Sequence, residues 1–258
     1  MARSATGRLA FVVVGAIGVG CTSRADLGSN LLWVSEFEVG TFAEWSDQPG
    51  GAANADPSPN SIELSTEQAH RGRYSAKLTI VAASGGGQAN TGLVRRGNLP
   101  QSAYYSAWYY LPRTIDVGTF WTIFKFRRRY VVDDPTSADE LFDLDIETLP
   151  TGEMAVRVYD HRISGDLPLQ TPTPVVPVSR WFQVEAYFHN AQDDTGHLTY
   201  WLDGTSVLDI GGMPMAPTPW VEWDAVNVGV DLSPNPVTLY IDDAAISETR
   251  VTPDGVLE

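Results

Sequence analysis

Two short stretches carry residue types that can handle protons and carboxylates. The first is Phe120–Arg129, FWTIFKFRRR, where strict alternation puts Trp121, Ile123, Lys125 and Arg127 on one face and Phe120, Thr122, Phe124 and Phe126 on the other. The second is 141–162, two alternating runs around Thr151-Gly152. In it Asp143, Asp145 and Glu147 share a face, and Arg157, Tyr159 and His161 share another. A three-residue loop at 151–153 would set Glu147 opposite Arg157, Asp145 opposite Tyr159 and Asp143 opposite His161. Cross-strand charge pairing accounts for such acids, each pair being worth under ~1 kcal/mol. A sharper chemistry is also available. Eliminating across the ring of a uronic acid needs a cation against the carboxylate, a base for the adjacent proton and an acid for the leaving oxygen. Lys125, Arg127 and Arg157 supply cations; Tyr159, His161 and Tyr187 supply the proton-handling groups.

The elements that must hold these residues are strands. The clearest is Trp181–Gly204, in which Phe182, Val184, Ala186 and Phe188 alternate with Gln183, Glu185, Tyr187 and His189. Asn190–Gly196 is turn-forming and His197–Leu202 returns as a partner strand. Its polar face, with Tyr187 and His189, is expected to join the functional surface. Tyr105, Tyr109, Trp121, Tyr187 and Trp201 offer flat faces for sugar stacking or, equally, core volume. Gly165–Pro177 has four prolines and reads as an extended surface loop. No amphipathic helix of about ten residues is present, and many short strands between Gly- and Pro-rich turns imply an all-β fold of two antiparallel sheets.

At the start, Arg3 and Arg8 precede the apolar run Leu9–Val19, and the single cysteine, Cys21, follows small residues. This predicts an export signal over 1–21, too short to span as a membrane helix. A linker over 22–30, a domain over 31–252 and a tail over 253–258 follow. Ile17–Cys21 resembles the lipidation box of bacterial lipoproteins, which implies an exported chain anchored by lipid at Cys21 on the outer membrane or cell surface, or otherwise a secreted or periplasmic one. Residues 1–20 contain two arginines and no acid, so the remainder holds 15 Lys+Arg against 32 Asp+Glu. Such a surface excludes nucleic acid as a partner. A polysaccharide and a monomer are expected.

Five segments resemble, in order, the concanavalin A-like jelly rolls: Phe37-Glu38-Val39-Gly40 with Trp45; Arg71–Leu78; Tyr104–Pro112; the Trp181–Gly204 hairpin; and Leu239–Ser247. Within that superfamily they look most like the heparin-lyase-like polysaccharide lyases. The resemblance implies a jelly-roll sandwich with a functional concave face, cleaving acidic polysaccharide by β-elimination. A lectin-like binding protein is the alternative, because Lys125 and Arg127 stand where the lyases often carry Gln and His. Asp143-Leu144-Asp145-Ile146-Glu147 also resembles the E-x-D-x-E strand of laminarinase-type glycosidases, which would make Asp143 nucleophile, Asp145 helper and Glu147 acid/base. The jelly-roll resemblance further implies a structural Ca²⁺ held by Glu38 with Asp242 or Asp243.

Overall fold

The computed structural model describes residues 30–46, 52–96, 99–131 and 138–253. Cys21 and the export signal lie outside them. Fifteen strands form, and among the described residues there is no helix. In chain order they are β1 (Leu31–Ser35), β2 (Ala52–Ala55), β3 (Ser61–Ser65), β4 (Ser75–Ile80), β5 (Ala89–Arg95), β6 (Ser102–Tyr110), β7 (Asp116–Arg129) and β8 (Ala138–Thr148). There follow β9 (Met154–Asp160), β10 (Gly165–Asp166), β11 (Trp181–His189), β12 (His197–Leu202), β13 (Thr205–Gly211), β14 (Val221–Ser233) and β15 (Val237–Ser247).

These make two antiparallel sheets. Sheet A runs β13-β12-β11-β6-β15-β4-β3, with β1 also on β15; sheet B runs β10-β9-β8-β7-β14-β5-β2. The architecture is the pair of antiparallel sheets expected from the alternation, in the jelly-roll form that the resemblance implied. Apolar residues of alternate positions meet between the sheets: Phe126 of sheet B stacks on Phe188 of sheet A at 4.4 Å, and Tyr105 meets Phe126 and Trp223 edge-on. The Trp181–Gly204 hairpin pairs as read, His189 facing His197 across the Asn190–Gly196 turn.

Two local readings change. In β7 the register slips between Thr122 and Phe124, so an extra residue sits in the strand. The inserted residue reverses the alternation, and Trp121 ends on the face opposite Lys125. In the β8–β9 hairpin the connection is the five-residue Leu149–Glu153, closed by Leu149 N–H donating to Glu153 O at 2.8 Å, with Gly152 at φ +83°. That longer turn moves the register by two: Asp143 faces Tyr159, Asp145 faces Arg157, and Glu147 faces Ala155. The Gly165–Pro177 stretch is mostly loop, as expected, but its first two residues form β10 against β9.

Candidate active site

The outer face of sheet B is polar, and much of it is buried. Strand pairing sets Asp224 (β14), Lys125 (β7), Asp143 (β8), Tyr159 (β9) and Asp166 (β10) side by side in one transverse row. At about 4.8 Å per strand the row spans roughly 19 Å. Beside it run Glu222, Arg127 and Glu140 on one flank, and Thr122, Asp145 and Arg157 on the other.

The charges bind one another. Lys125 Nζ donates to Glu140 Oε1 at 3.0 Å. Glu222, fully buried, accepts from three guanidiniums: Arg127 Nη1 at 2.6 Å, Arg129 Nη1 at 2.6 Å and Arg96 Nε at 2.9 Å. Arg157 Nη2 donates to Asp145 Oδ2 at 2.8 Å, and the Thr122 hydroxyl donates to its other oxygen at 2.7 Å. His161 Nε2 lies 3.0 Å from Asp143 Oδ2, diagonally across the hairpin.

Burial and these neighbours shift the ionisations. Burial would lower the Lys125 ammonium, yet Glu140, Asp224 and Asp143 together hold it above the ordinary lysine value. Arg127 is likewise held up by Asp224, Glu222 and Glu140 against its burial. Burial and the adjacent Glu222 push Asp224 up to about 8, outweighing the pull of Lys125 and Arg127. The hydrogen bond to Asp143 raises the His161 imidazole, while burial raises Asp143 itself, so the pair retains a proton to higher pH. Five buried atoms on this face, Arg127 Nε, Arg157 Nε, Glu140 Oε2, Asp143 Oδ1 and Asp224 Oδ1, make no hydrogen bond. Buried polar atoms ordinarily find partners, so these five have hydrogen-bonding capacity to offer a ligand or water.

Of the residues singled out from sequence, Lys125, Arg127, Arg157, Tyr159 and His161 are brought together. Tyr159 is half-buried, its ring 4.9 Å from His161 and edge-on to it, and its hydroxyl makes no hydrogen bond among the described residues. Tyr187 and His189 lie apart, on the outer face of sheet A. There Tyr187 packs on Tyr104 at 5.0 Å, and His189 meets the Ser102 hydroxyl at 2.5 Å. Tyr105, Tyr109 and Trp121 face the core with no exposed surface, so none offers a stacking platform. Burial pushes both phenols up, Tyr109 donates to Ile123 O at 3.1 Å, and Trp121 donates to Asn227 Oδ1 at 2.8 Å. Asp143 and Asp145 are drawn to His161 and Arg157, and Glu147 stands two places further along the strand.

Glu38, Asp242 and Asp243 all address the loop 70–74. Glu38 Oε1 accepts the Arg73 and Tyr74 amides at 2.7 and 2.8 Å, Asp242 Oδ2 accepts the His70 amide at 2.8 Å, and Asp243 Oδ2 meets His70 Nδ1 at 2.5 Å. A Cβ on Gly72 would stand 2.5 Å from the Glu38 carboxyl carbon, so glycine lets that carboxylate close on the loop. Among the described residues no three His, Cys, Asp or Glu side chains converge as a metal-binding group.

Glu222, Asp224, Glu140, Arg96 and Arg129 were not singled out. The alternation Val221-Glu222-Trp223-Asp224 at the start of β14 is the signal that could have found two of them.

No family model matches the chain, and no curated protein matches it. Solved structures do. An endo-β-1,4-glucuronan lyase from the fungus Trichoderma reesei superposes with a TM-score of 0.63 at 12% identity, covering 86% of this chain and 97% of that one. The alginate lyase Aly36B gives 0.53 at 14% identity, covering 81% and 91%. A carbohydrate esterase from the Shiga toxin-encoding bacteriophage phi24B gives 0.54 at 12% identity, covering 86% and 99%. At such identities the likeness is one of fold: the chain is a two-sheet antiparallel jelly roll.

Proposed function

We propose that this protein binds a polysaccharide containing uronic acid on the outer face of sheet B and cleaves it by β-elimination. The observation that carries the reading is the trio formed by Arg157 and Tyr159 on β9 with His161 just past its end. They share one face with Lys125, and the Tyr159 hydroxyl is left unbonded beside an imidazole held by Asp143. Two of the solved structures that share this fold are polysaccharide lyases by name, which supports the same reading. Arg157, with Lys125 behind it, neutralises the uronate carboxylate and makes the neighbouring C5 proton acidic. Neutral His161 takes that proton, the electron pair forms the C4–C5 double bond, and Tyr159 protonates the departing O4 oxygen.

The test is incubation with glucuronan and alginate, following ultraviolet absorbance and reducing ends together. Both rising reports unsaturated uronates; reducing ends without absorbance would replace elimination by hydrolysis. Because the base must be neutral, kcat/KM should climb with pH through a value above that of ordinary histidine. Asp143→Asn should move that inflection to lower pH by removing the anion that holds the proton. An inflection unmoved in this variant takes the base away from His161.

A second reading, a lectin-like surface protein without turnover, is favoured by one observation. Lys125, Arg127 and Arg157 are each already engaged by carboxylates. Retention on a glycan column without product would select it. We also propose export with lipid at Cys21, a monomer, and a structural Ca²⁺ beside Glu38 with Asp242 or Asp243, whose hard oxygens suit that ion. A melting temperature unchanged by chelator would remove the ion.

A further inference from the structure

A cleft of about 560 Å³ opens at the end of the sandwich, where the Asn190–Thr195 turn meets the segments leading into β6 and β14. Its size falls in the range of small-ligand sites, roughly 300–1,000 Å³. The walls are fastened to each other. Asn190 N–H donates to Gln101 O at 2.8 Å, Asn190 Nδ2 donates to the Thr218 and Pro219 carbonyls at 3.2 and 3.1 Å, and Gln192 Nε2 donates to Pro217 O at 2.7 Å. A cleft braced on three sides needs little ordering when a ligand enters.

Its chemistry differs from that of the charged face. Trp220, 36% exposed as a residue, contributes an aromatic side chain to the lining. Around it stand the amide side chains of Gln101 and Gln192 and the Thr195 hydroxyl. The one charged lining residue is Asp193, whose Oδ1 accepts from Thr195 N–H at 3.0 Å and from the Thr195 hydroxyl at 2.5 Å. No Lys, Arg or His lines the cleft among the described residues. An aromatic plate with neutral donors and acceptors suits the C–H face and hydroxyls of a sugar. A uronate would meet Asp193 and find no cation.

We propose that this cleft is a binding site for an uncharged sugar unit, separate from the charged face of sheet B. The site stands whether or not that face cleaves its polymer. If both hold, the polymer carries neutral sugars as well as uronic acid.

Calorimetric titration of the full chain with cello-, xylo- and manno-tetrasaccharides, and with tetraglucuronate as the charged comparator, tests it. A neutral tetrasaccharide should bind, and Trp220→Ala should weaken it at least about tenfold. Trp220→Phe, which keeps an aromatic face, should restore much of that loss, and Gln192→Ala should weaken binding several-fold. Tyr159→Phe should leave it unchanged while removing turnover of uronate polymer, which separates failure here from failure of the lyase reading. Absence of binding to every neutral tetrasaccharide would overturn the proposal. So would binding that Trp220→Ala and Gln192→Ala both leave intact, or a Trp220→Ala effect confined to tetraglucuronate.

Discussion

The outer faces of the two sheets both carry tyrosines, histidines and buried acids, yet they satisfy those acids differently. On sheet A the C-terminal segment lies across the strands. Arg250 Nε and Val251 N–H both donate to the buried Glu185, Gln183 Nε2 donates to Val251 O, and the Arg250 guanidinium stacks 4.3 Å over Trp201. The acid is covered and spent on closure. On sheet B the acids are met chiefly by cations of the same sheet, with the Thr122 hydroxyl on Asp145, and no segment lies across them among the described residues. Those cations are held in place, five buried atoms remain unbonded, and Tyr159 and His161 stay reachable. A closed polar face stabilises; an open one with unspent hydrogen-bonding capacity is able to act.

The largest effect that would break this comparison is on turnover. Tyr159→Phe and His161→Ala should each reduce cleavage of uronate polymer by about 10²–10⁴-fold, whereas Tyr187→Phe on sheet A should stay within about twofold. Loss in Tyr187→Phe with retention in Tyr159→Phe would exchange the roles of the faces. Next comes stability. Among the described residues Glu222 accepts hydrogen bonds from three guanidiniums and Glu185 from that of Arg250, and both are buried. Glu222→Ala strands three cations and should cost about 3–5 kcal/mol in denaturant unfolding; Glu185→Ala strands one, at the edge of the tail, and should cost less. Equal losses would mean that the shared carboxylate on sheet B is no more than an ordinary ion pair.

The fold was legible because period-two alternation marks a half-buried strand wherever it occurs, and the β11–β12 hairpin paired in the expected register. Half of the site was legible too, since Arg157 and Tyr159 alternate on one strand and His161 follows at the same spacing just past its end. What failed were details that alternation cannot carry. One inserted residue in β7 sent Trp121 into the core, and a five-residue turn slid the acids by two places. Tyr187 was grouped with Tyr159 because both alternate outward on strands. Alternation says that a side chain points outward without saying from which sheet, and only the crossovers settle that. Glu222 and Asp224 escaped notice because, in a sheet whose outer face is itself buried, acids flanking a tryptophan resemble the edge of a loop.

The last effect, read as a difference across pH, probes the interior of the charged face. A carboxyl that is harder to ionise in the folded chain than in the unfolded one binds its proton more tightly when folded. Stability is therefore lost as pH rises from its unfolded value to its folded one. For Asp224 that window runs from about 3.8 to about 8. The slope it adds is bounded by about 1.4 kcal/mol per pH unit, the value for one proton. Asp224→Asn mimics the neutral acid and should unfold close to the native chain at pH 5, but above it at pH 9, where the native carboxylate is ionised against Glu222. Parallel melting curves for the two proteins across that range would show Asp224 to be ionised throughout. The face would then hold one more negative charge against its cations, and a uronate would be less welcome there than proposed.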